Sequence, residues 1–242
     1  MQHTHFRNSL LLQLSGPDLE AVKIHLEPLD LPGSFEIARF DQAVCHYYLL
    51  EDGIASMVAL SPSGRKAEIG LIGREGITPM AAIMDVSTQP FDIMMQVPGH
   101  GYRIEYLALK ELMASRPALY RTLLRFCHAL FVQTAHTAMS NAIHRIDVRL
   151  ARWILMCDDR IDGDRTSITH EFMAIMLGVR RSSVTNALHV LEGHHLLYSD
   201  RGLVTVRDRV ALEAFAGDAY GRGEQPSFQA ARTPLGAGRI DR

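Results

Sequence analysis

Cysteine is scarce in this chain: three residues in 242, Cys45, Cys127 and Cys157, an odd number, widely spaced and with no Cys-x-x-Cys pair. That excludes a disulfide framework and a cysteine-built zinc or iron–sulfur site, and it fits reduced thiols in a cytoplasm. Long apolar runs are missing too. Nothing approaches the ~18 residues of a membrane span, and Leu10-Leu11-Leu12-Gln13-Leu14 is too short for a signal-peptide core, so a cytoplasmic protein without a membrane partner is expected. Nor does one sign of charge prevail. Lys and Arg number 25 against 27 Asp and Glu, a net charge of -2, so any nucleic-acid role must rest on a local patch.

Catalytic signatures are equally thin. His170-Glu171-Phe172-Met173-Ala174 opens like a zinc-protease helix, but Ala174 stands where the second histidine ligand is required. There is no Gly-x-Ser-x-Gly elbow and no phosphate-binding Gly-x-x-x-x-Gly-Lys loop; Gly73-Arg74-Glu75-Gly76 only borrows two glycines. His3-Thr4-His5 has no glutamate and third histidine at sheet-site spacing and reads as solvated. The chain is therefore not expected to be an enzyme, and no cofactor is expected.

What is present falls into an α+β arrangement. From Phe35 to Ile104, short runs rich in Val, Ile, Tyr and Phe alternate with glycines and prolines, the pattern of a compact antiparallel roll of jelly-roll type. Ile54–Leu60, the turn Ser61-Pro62-Ser63-Gly64 and a return from Arg65 form a hairpin within it. After Tyr106 the glycines stop until Gly163, and a long helix is expected from about Pro117. Two stripes run along it: the ladder Leu119, Leu123, Phe126, Leu130, Gln133, Thr137, Ser140 and His144, and an adjacent row of Leu124, Phe131, Ala135, Ala138 and Ala142. One can face the sheet domain and the other a partner helix, which favours a homodimer; a helix packed only on its own domain is the alternative. Near Ile146 another helix begins, with Asp147 as its cap and Leu150, Ile154, Leu155 and Cys157 apolar behind Arg149 and Arg152. The organisation read from these signals is a roll over 1–116, a long helix with hinge over 117–145, a second domain over 146–216, and a structureless Gly/Ala/Arg/Pro-rich tail over 217–242. The hinge is placed at His144-Arg145-Ile146-Asp147.

The most informative segment is Ile168–Leu191. Thr169 can cap a helix that buries Met173, Ala174 and Leu177; Gly178 suits a tight turn; Val184, Leu188 and Leu191 give a second helix its buried face. That is helix-turn-helix spacing. The second helix then exposes Arg181, Ser182, Thr185, Asn186 and His189, with Arg180 and Ser183 at its start. Arginine matches the two major-groove acceptors of guanine, asparagine can pair with adenine, and hydroxyls reach phosphates or base edges, so double-stranded DNA is the expected partner. His195–Tyr198, Ser199-Asp200-Arg201-Gly202 and Leu203–Val206 form a strand, a turn and a strand, a wing with Arg201 at its tip. Thr169 and Arg201 complete the DNA-facing set.

The run from Arg149-Leu150-Ala151-Arg152-Trp153 through Leu177-Gly178-Val179-Arg180-Arg181-Ser182-Ser183-Val184-Thr185 to Tyr198-Ser199-Asp200-Arg201-Gly202 resembles the Crp/Fnr family of bacterial transcription regulators. The resemblance extends from Ser34 to about Tyr220 and is strongest after the long helix. It implies a homodimer with a cyclic-nucleotide-binding-like β-roll sensor, a long dimer helix and a C-terminal winged helix-turn-helix that reads a palindromic operator, with RNA polymerase a further partner should the protein activate. It places Arg181 on a guanine-contacting arginine and Ser182 and Asn186 on variable base-reading neighbours. Ser182 stands where the cyclic-AMP-dependent activator has an acidic residue, and Asn186 where it has an arginine, so the resemblance does not carry over that activator's operator.

Cyclic-AMP-binding members hold the ribose with a Gly-Glu-Leu turn and the phosphate with an Arg-Ser pair. The corresponding positions here are Thr78-Pro79-Met80 and Gln89-Pro90. A neutral glutamine offers no charged two-pronged contact, and Pro79 supplies neither a carboxylate nor a backbone donor, so the small-molecule effector is unassigned and is not expected to be cyclic AMP. A haem-responsive member of the fold would need an axial ligand; Cys45 and His46 qualify, but adjacent strand residues point to opposite faces, and a buried Cys45 beside a solvated His46 is the reading taken. A non-transcriptional interaction module on the same roll is the remaining alternative.

Overall fold

The computed structural model describes residues 6–163, 165–200 and 202–221. His3-Thr4-His5, Arg201 and the tail over 222–242 lie outside them. Two short helices come first, α1 (Ser9–Gln13) and α2 (Gly16–Lys23). The side chain of Asn8 accepts from the backbone N–H groups of Leu10 and Leu11, and that of Ser15 from Asp18, so each helix starts on a polar cap. The strands β1 (Glu27–Leu31), β2 (Glu36–Ala38), β3 (His46–Leu50), β4 (Ile54–Leu60), β5 (Lys66–Ile72), β6 (Ile77–Thr78), β7 (Asp92–Val97) and β8 (Gly99–Glu105) follow. They make two four-stranded sheets, ordered β1-β8-β3-β6 and β2-β7-β4-β5. All pairings are antiparallel, and the β4–β5 hairpin forms where its turn residues place it. One expectation fails at the start of β3. Cys45 is exposed and His46 half-buried, because the strand begins only at His46 and strand alternation does not govern the loop residue before it.

Helix α3 (Tyr106–Ser115) leads into the long α4 (Pro117–Ile143), with Pro117 at its first position, where the missing N–H costs nothing. The structure separates the two stripes of α4. Leu119, Leu123, Phe126 and Leu130 are buried in the core of the roll, Gln133 and Ser140 are buried below them, and Thr137 and His144 are half-buried. Gln133 grips β5 with both ends of its amide, Oε1 accepting from Leu71 N at 2.7 Å and Nε2 donating to Leu71 O at 3.2 Å. Gly76 lies where a Cβ would come within 2.2 Å of Phe126 Cζ, so only glycine lets α4 approach this closely. Leu124, Phe131, Ala135, Ala138 and Ala142 stay exposed on the other side.

The second unit comprises α5 (Ile146–Asp158), β9 (Arg165–Ser167), α6 (His170–Leu177), α7 (Arg181–Gly193), β10 (Leu197–Asp200), β11 (Leu203–Val206) and α8 (Arg209–Ala216), its sheet ordered β10-β11-β9. Arg145, not Asp147, is the N-cap of α5; Asp147 sits in the first turn, where its carboxylate accepts from Val148 N and from Arg145. Arg152 is not on an outer face but 4% exposed. The segment from Gly217 is ordered for its first residues. Gly217–Ala219 form a 3₁₀ turn, and the Tyr220 hydroxyl donates to Asp159 at 2.7 Å and accepts from Arg209 at 2.9 Å, an anchor that composition alone does not display.

The two units share a core. Ile54, Val58 and Leu71 of the roll pack in one apolar cluster with Leu150, Ile154, Met176, Leu188 and others of the second unit. The outer face of the β4–β5 sheet is thus the seat on which α5 and α6 rest, and it sets the direction in which α7 points.

Candidate nucleic-acid interface

Thr169 caps α6, its Oγ1 accepting from Phe172 N at 3.2 Å; such a cap is worth about 1 kcal/mol. The helix ends at Gly178, whose φ of 63° is the left-handed conformation that closes the last turn, with its N–H bonded to Ala174 O and Ile175 O. Arg149 of α5 donates to the last carbonyl of α6, Leu177 O, and to Asn141 of α4 at 2.9 Å, so one guanidinium ties three helices at the turn. Burial holds this guanidinium below its ordinary pKa. Nothing in the residue order marks Arg149 for that role; the cue it offered was only its place opposite an apolar stripe.

Helix α7 then buries Val184, Ala187, Leu188 and Leu191. On the opposite side Arg180, Arg181, Ser182, Asn186 and His189 are exposed together. Two predicted residues stand apart from this face. Thr185 is half-buried, its hydroxyl within 3.2 Å of both His170 Nδ1 and Arg181 O, so it braces α7 against α6. Ser183 is half-buried and lines, with Asn186 and Val190, a shallow groove of about 420 Å³ closed on its far side by Arg145 and Asp147. Thr169 is exposed but spends its hydroxyl on the cap. The wing hairpin forms, registered Leu197↔Val206 to Asp200↔Leu203, and Glu192 of α7 holds it by accepting from Ser199 N at 2.9 Å. His170 and Glu192 were not foreseen, because each acts through a residue on another element, Thr185 of α7 and Ser199 of β10.

In the roll, Gln89 is 1% exposed, and neither its Nε2 nor its Oε1 has a hydrogen-bond partner. Thr78 is buried with its Oγ1 equally unpaired, and a cis bond joins it to Pro79. Among the described residues no three His, Cys, Asp or Glu side chains gather as a metal site, and no helix is long and apolar enough to cross a membrane.

Comparison with known proteins agrees with this geometry. The family model of the Crp-like helix-turn-helix domain matches residues 148–215. No curated protein sequence matches the chain. Among solved structures, a Crp/Fnr-family transcriptional regulator from Eubacterium rectale aligns with a TM-score of 0.67 at 18% identity, over 86% of this chain and 97% of its own. FixK2 from Bradyrhizobium japonicum aligns at 0.66 and 14%, over 79% and 98%. The c-di-GMP-responsive global regulator CLP of Xanthomonas campestris aligns at 0.64 and 16%, over 79% and 99%. The chain thus carries a Crp-like helix-turn-helix domain on the β-roll and long helix of the Crp/Fnr fold.

Proposed function

From a Crp-like DNA-binding domain set on a Crp/Fnr fold, we propose that this protein is a sequence-specific transcription regulator that binds a two-fold symmetric operator as a homodimer. The observation that carries the reading is the face of α7, where Arg180, Arg181, Ser182, Asn186 and His189 stand exposed on a helix whose other side is fully buried. Arg181 reads guanine, Asn186 and Ser182 read neighbouring base edges, and Arg180 holds the backbone. Arg201, which follows Asp200 in the sequence of the wing, is assigned to a phosphate.

The exposed row of α4 supports the dimer. Leu124, His128, Phe131, Ala135, Ala138 and Ala142 recur at a 4-3-4-3-4 spacing, the period of a two-helix seam, and all are exposed in the single chain. A second copy of the same helix fits this row, and half-sites then lie about one helical turn, roughly 34 Å, apart. No arginine stands at Gln89 or in Thr78-Pro79-Met80. The buried, neutral Gln89 amide supports a response that is indifferent to cyclic AMP.

The test is selection of bound genomic fragments by the purified protein, followed by salt-titrated binding to the best fragment with and without cyclic AMP. A two-fold motif, bound equally with and without the nucleotide, is expected; absence of any motif would return the roll to an interaction module. On that operator Arg181→Ala is expected to cost about 1–3 kcal/mol and to relax discrimination at one base pair per half-site. Arg180→Ala, by contrast, should weaken all sequences alike. An equal loss on every operator from Arg181→Ala would overturn the base-reading assignment.

A further inference from the structure

The seat between the roll and the helix-turn-helix domain contains a buried acid that DNA binding does not employ. Glu68 of β5 is 5% exposed. Its Oε1 accepts from Trp153 Nε1 of α5 at 2.8 Å, and its Oε2 lies 2.7 Å from Ser56 Oγ of β4. Ser56 Oγ is also 2.5 Å from Gln96 Oε1 of β7, and Gln96 Nε2 donates to Cys157 Sγ of α5 at 3.6 Å. The chain of contacts therefore leaves α5, crosses three strands of the roll and returns to α5.

Counting protons along this chain shows a conflict. Ser56 has one hydroxyl hydrogen and two acceptors beside it, Glu68 Oε2 and Gln96 Oε1. Two arrangements satisfy every atom. In the first, Glu68 is neutral: its Oε2–H donates to Ser56, Ser56 donates to Gln96 Oε1, and Gln96 Nε2 donates to Cys157. In the second, Glu68 is ionised: its proton has gone to solvent, Ser56 donates to Oε2, and the Gln96 amide is turned over, so that Nε2 donates to Ser56 and Oε1 accepts the Cys157 S–H. The remaining groups around Glu68 are Arg152 of α5, Arg160 in the turn just after it and, across a small cavity, Arg149 of α5, Thr137, Ser140 and Asn141 of α4, and Met176 and Leu177 of α6.

We propose that Glu68, Ser56, Gln96, Trp153 and Cys157 form a proton-controlled latch that holds the helix-turn-helix domain on the roll when Glu68 is neutral and loosens it when Glu68 ionises. Burial pushes the Glu68 carboxyl up to about 8, against the opposing pull of Ser56, the Trp153 N–H and the Arg152 and Arg160 guanidiniums. Once the domain lifts off, water reaches the carboxyl and it returns toward its ordinary value of 4.5. The seated form thus binds more protons between those two values. Seating is strongest below the lower one, weakens by up to about tenfold per pH unit through the window, and levels off above the upper one.

Trp153 is the sole tryptophan of the chain, and it donates directly to the acid. The experiment is its fluorescence in the full-length protein without DNA, titrated from about pH 6 to 9.5. A single transition with a midpoint near 8 is expected in the native chain. Glu68→Gln keeps an acceptor for Trp153 and a donor for Ser56, and should stay at the acid-side signal throughout. A flat native profile, or an unaltered transition in Glu68→Gln, overturns the latch. Should Glu68→Gln fail to fold, Ser56→Ala replaces it. That variant denies the ionised form a donor and should move the midpoint upward; an unmoved midpoint overturns the proposal. Because no operator is needed, the result is independent of whether the DNA-binding reading holds.

Discussion

Glu75→Ala is expected to lower stability by about 3–5 kcal/mol, among the largest effects of any single substitution outside the apolar core. Glu75 sits in the turn between β5 and β6, 2% exposed, and its Oε1 accepts from Arg160 Nε at 2.8 Å. Arg160, at the end of α5, is 0% exposed and also donates from Nη1 to Met156 O at 2.7 Å. Removing the carboxylate takes a hydrogen-bonded counter-charge away from a guanidinium that is fully buried in the joint between the roll and the helix-turn-helix domain. It also removes the acceptor of Gly73 N, which lies 3.1 Å from both Glu75 oxygens. For a chain of this length the melting point should fall by about 6–20 °C. Replacing both partners, Glu75→Ala with Arg160→Met, should recover much of the loss, because an apolar pair carries no desolvation penalty. Thermal melts of the two single variants and the double one form the cycle; a single-variant loss under about 1 kcal/mol would show that the pair contributes no more than a surface ion pair.

That ion pair marks the limit of what residue order conveys. The β4–β5 hairpin, the Thr169 cap, the Gly178 turn and the buried faces of α6 and α7 were legible because each is a local signal: a turn residue at a fixed offset, or an apolar period of two or 3.6. Glu68, Glu75, Arg152 and Arg160 were not. A charged residue in a sequence looks solvated, and only the packing of α5 against β4 and β5 makes these four buried. The stripes of α4 fall between these cases. Both ladders carry Leu and Phe at helical spacing, so the period alone established a two-sided helix without saying which side the roll would take. The grip of Gln133 on Leu71 and the approach of Phe126 over Gly76 decide it. His128 then falls in the outer row, between Leu124 and Phe131, a seam position that a search for apolar residues passes over. On the DNA side the face of α7 was legible, but Thr185 was misplaced by one helical neighbour, since its bond to His170 depends on how steeply α6 and α7 cross.

The outer row of α4 gives the second large effect. Phe131 is 70% exposed in the single chain, a large aromatic surface that α4 does not bury against its own roll. In a two-fold pairing it meets its mate, so Phe131→Asp removes two aromatic contacts and places two carboxylates face to face. Each lost side chain is worth about 1.5–3 kcal/mol, and the doubled loss of about 3–6 kcal/mol weakens the dimer by roughly two to four powers of ten. Because Phe131 is mostly exposed within the protomer, the melting point of the monomer's roll should move little, which separates loss of pairing from loss of fold. Sedimentation equilibrium at micromolar concentration should show a monomer for the variant and the proposed dimer for the native chain. DNA affinity should fall with it, since one recognition helix contacts a single half-site and forfeits the contribution of the other. Lysine at the same position should act in the same direction, and more strongly. Residues 117–143 include Arg121, Arg125, His128 and His136 and not one acidic residue, so an added cation meets only repulsion along the helix. A Phe131→Asp protein that sediments as the native dimer would move the pairing surface off α4 altogether.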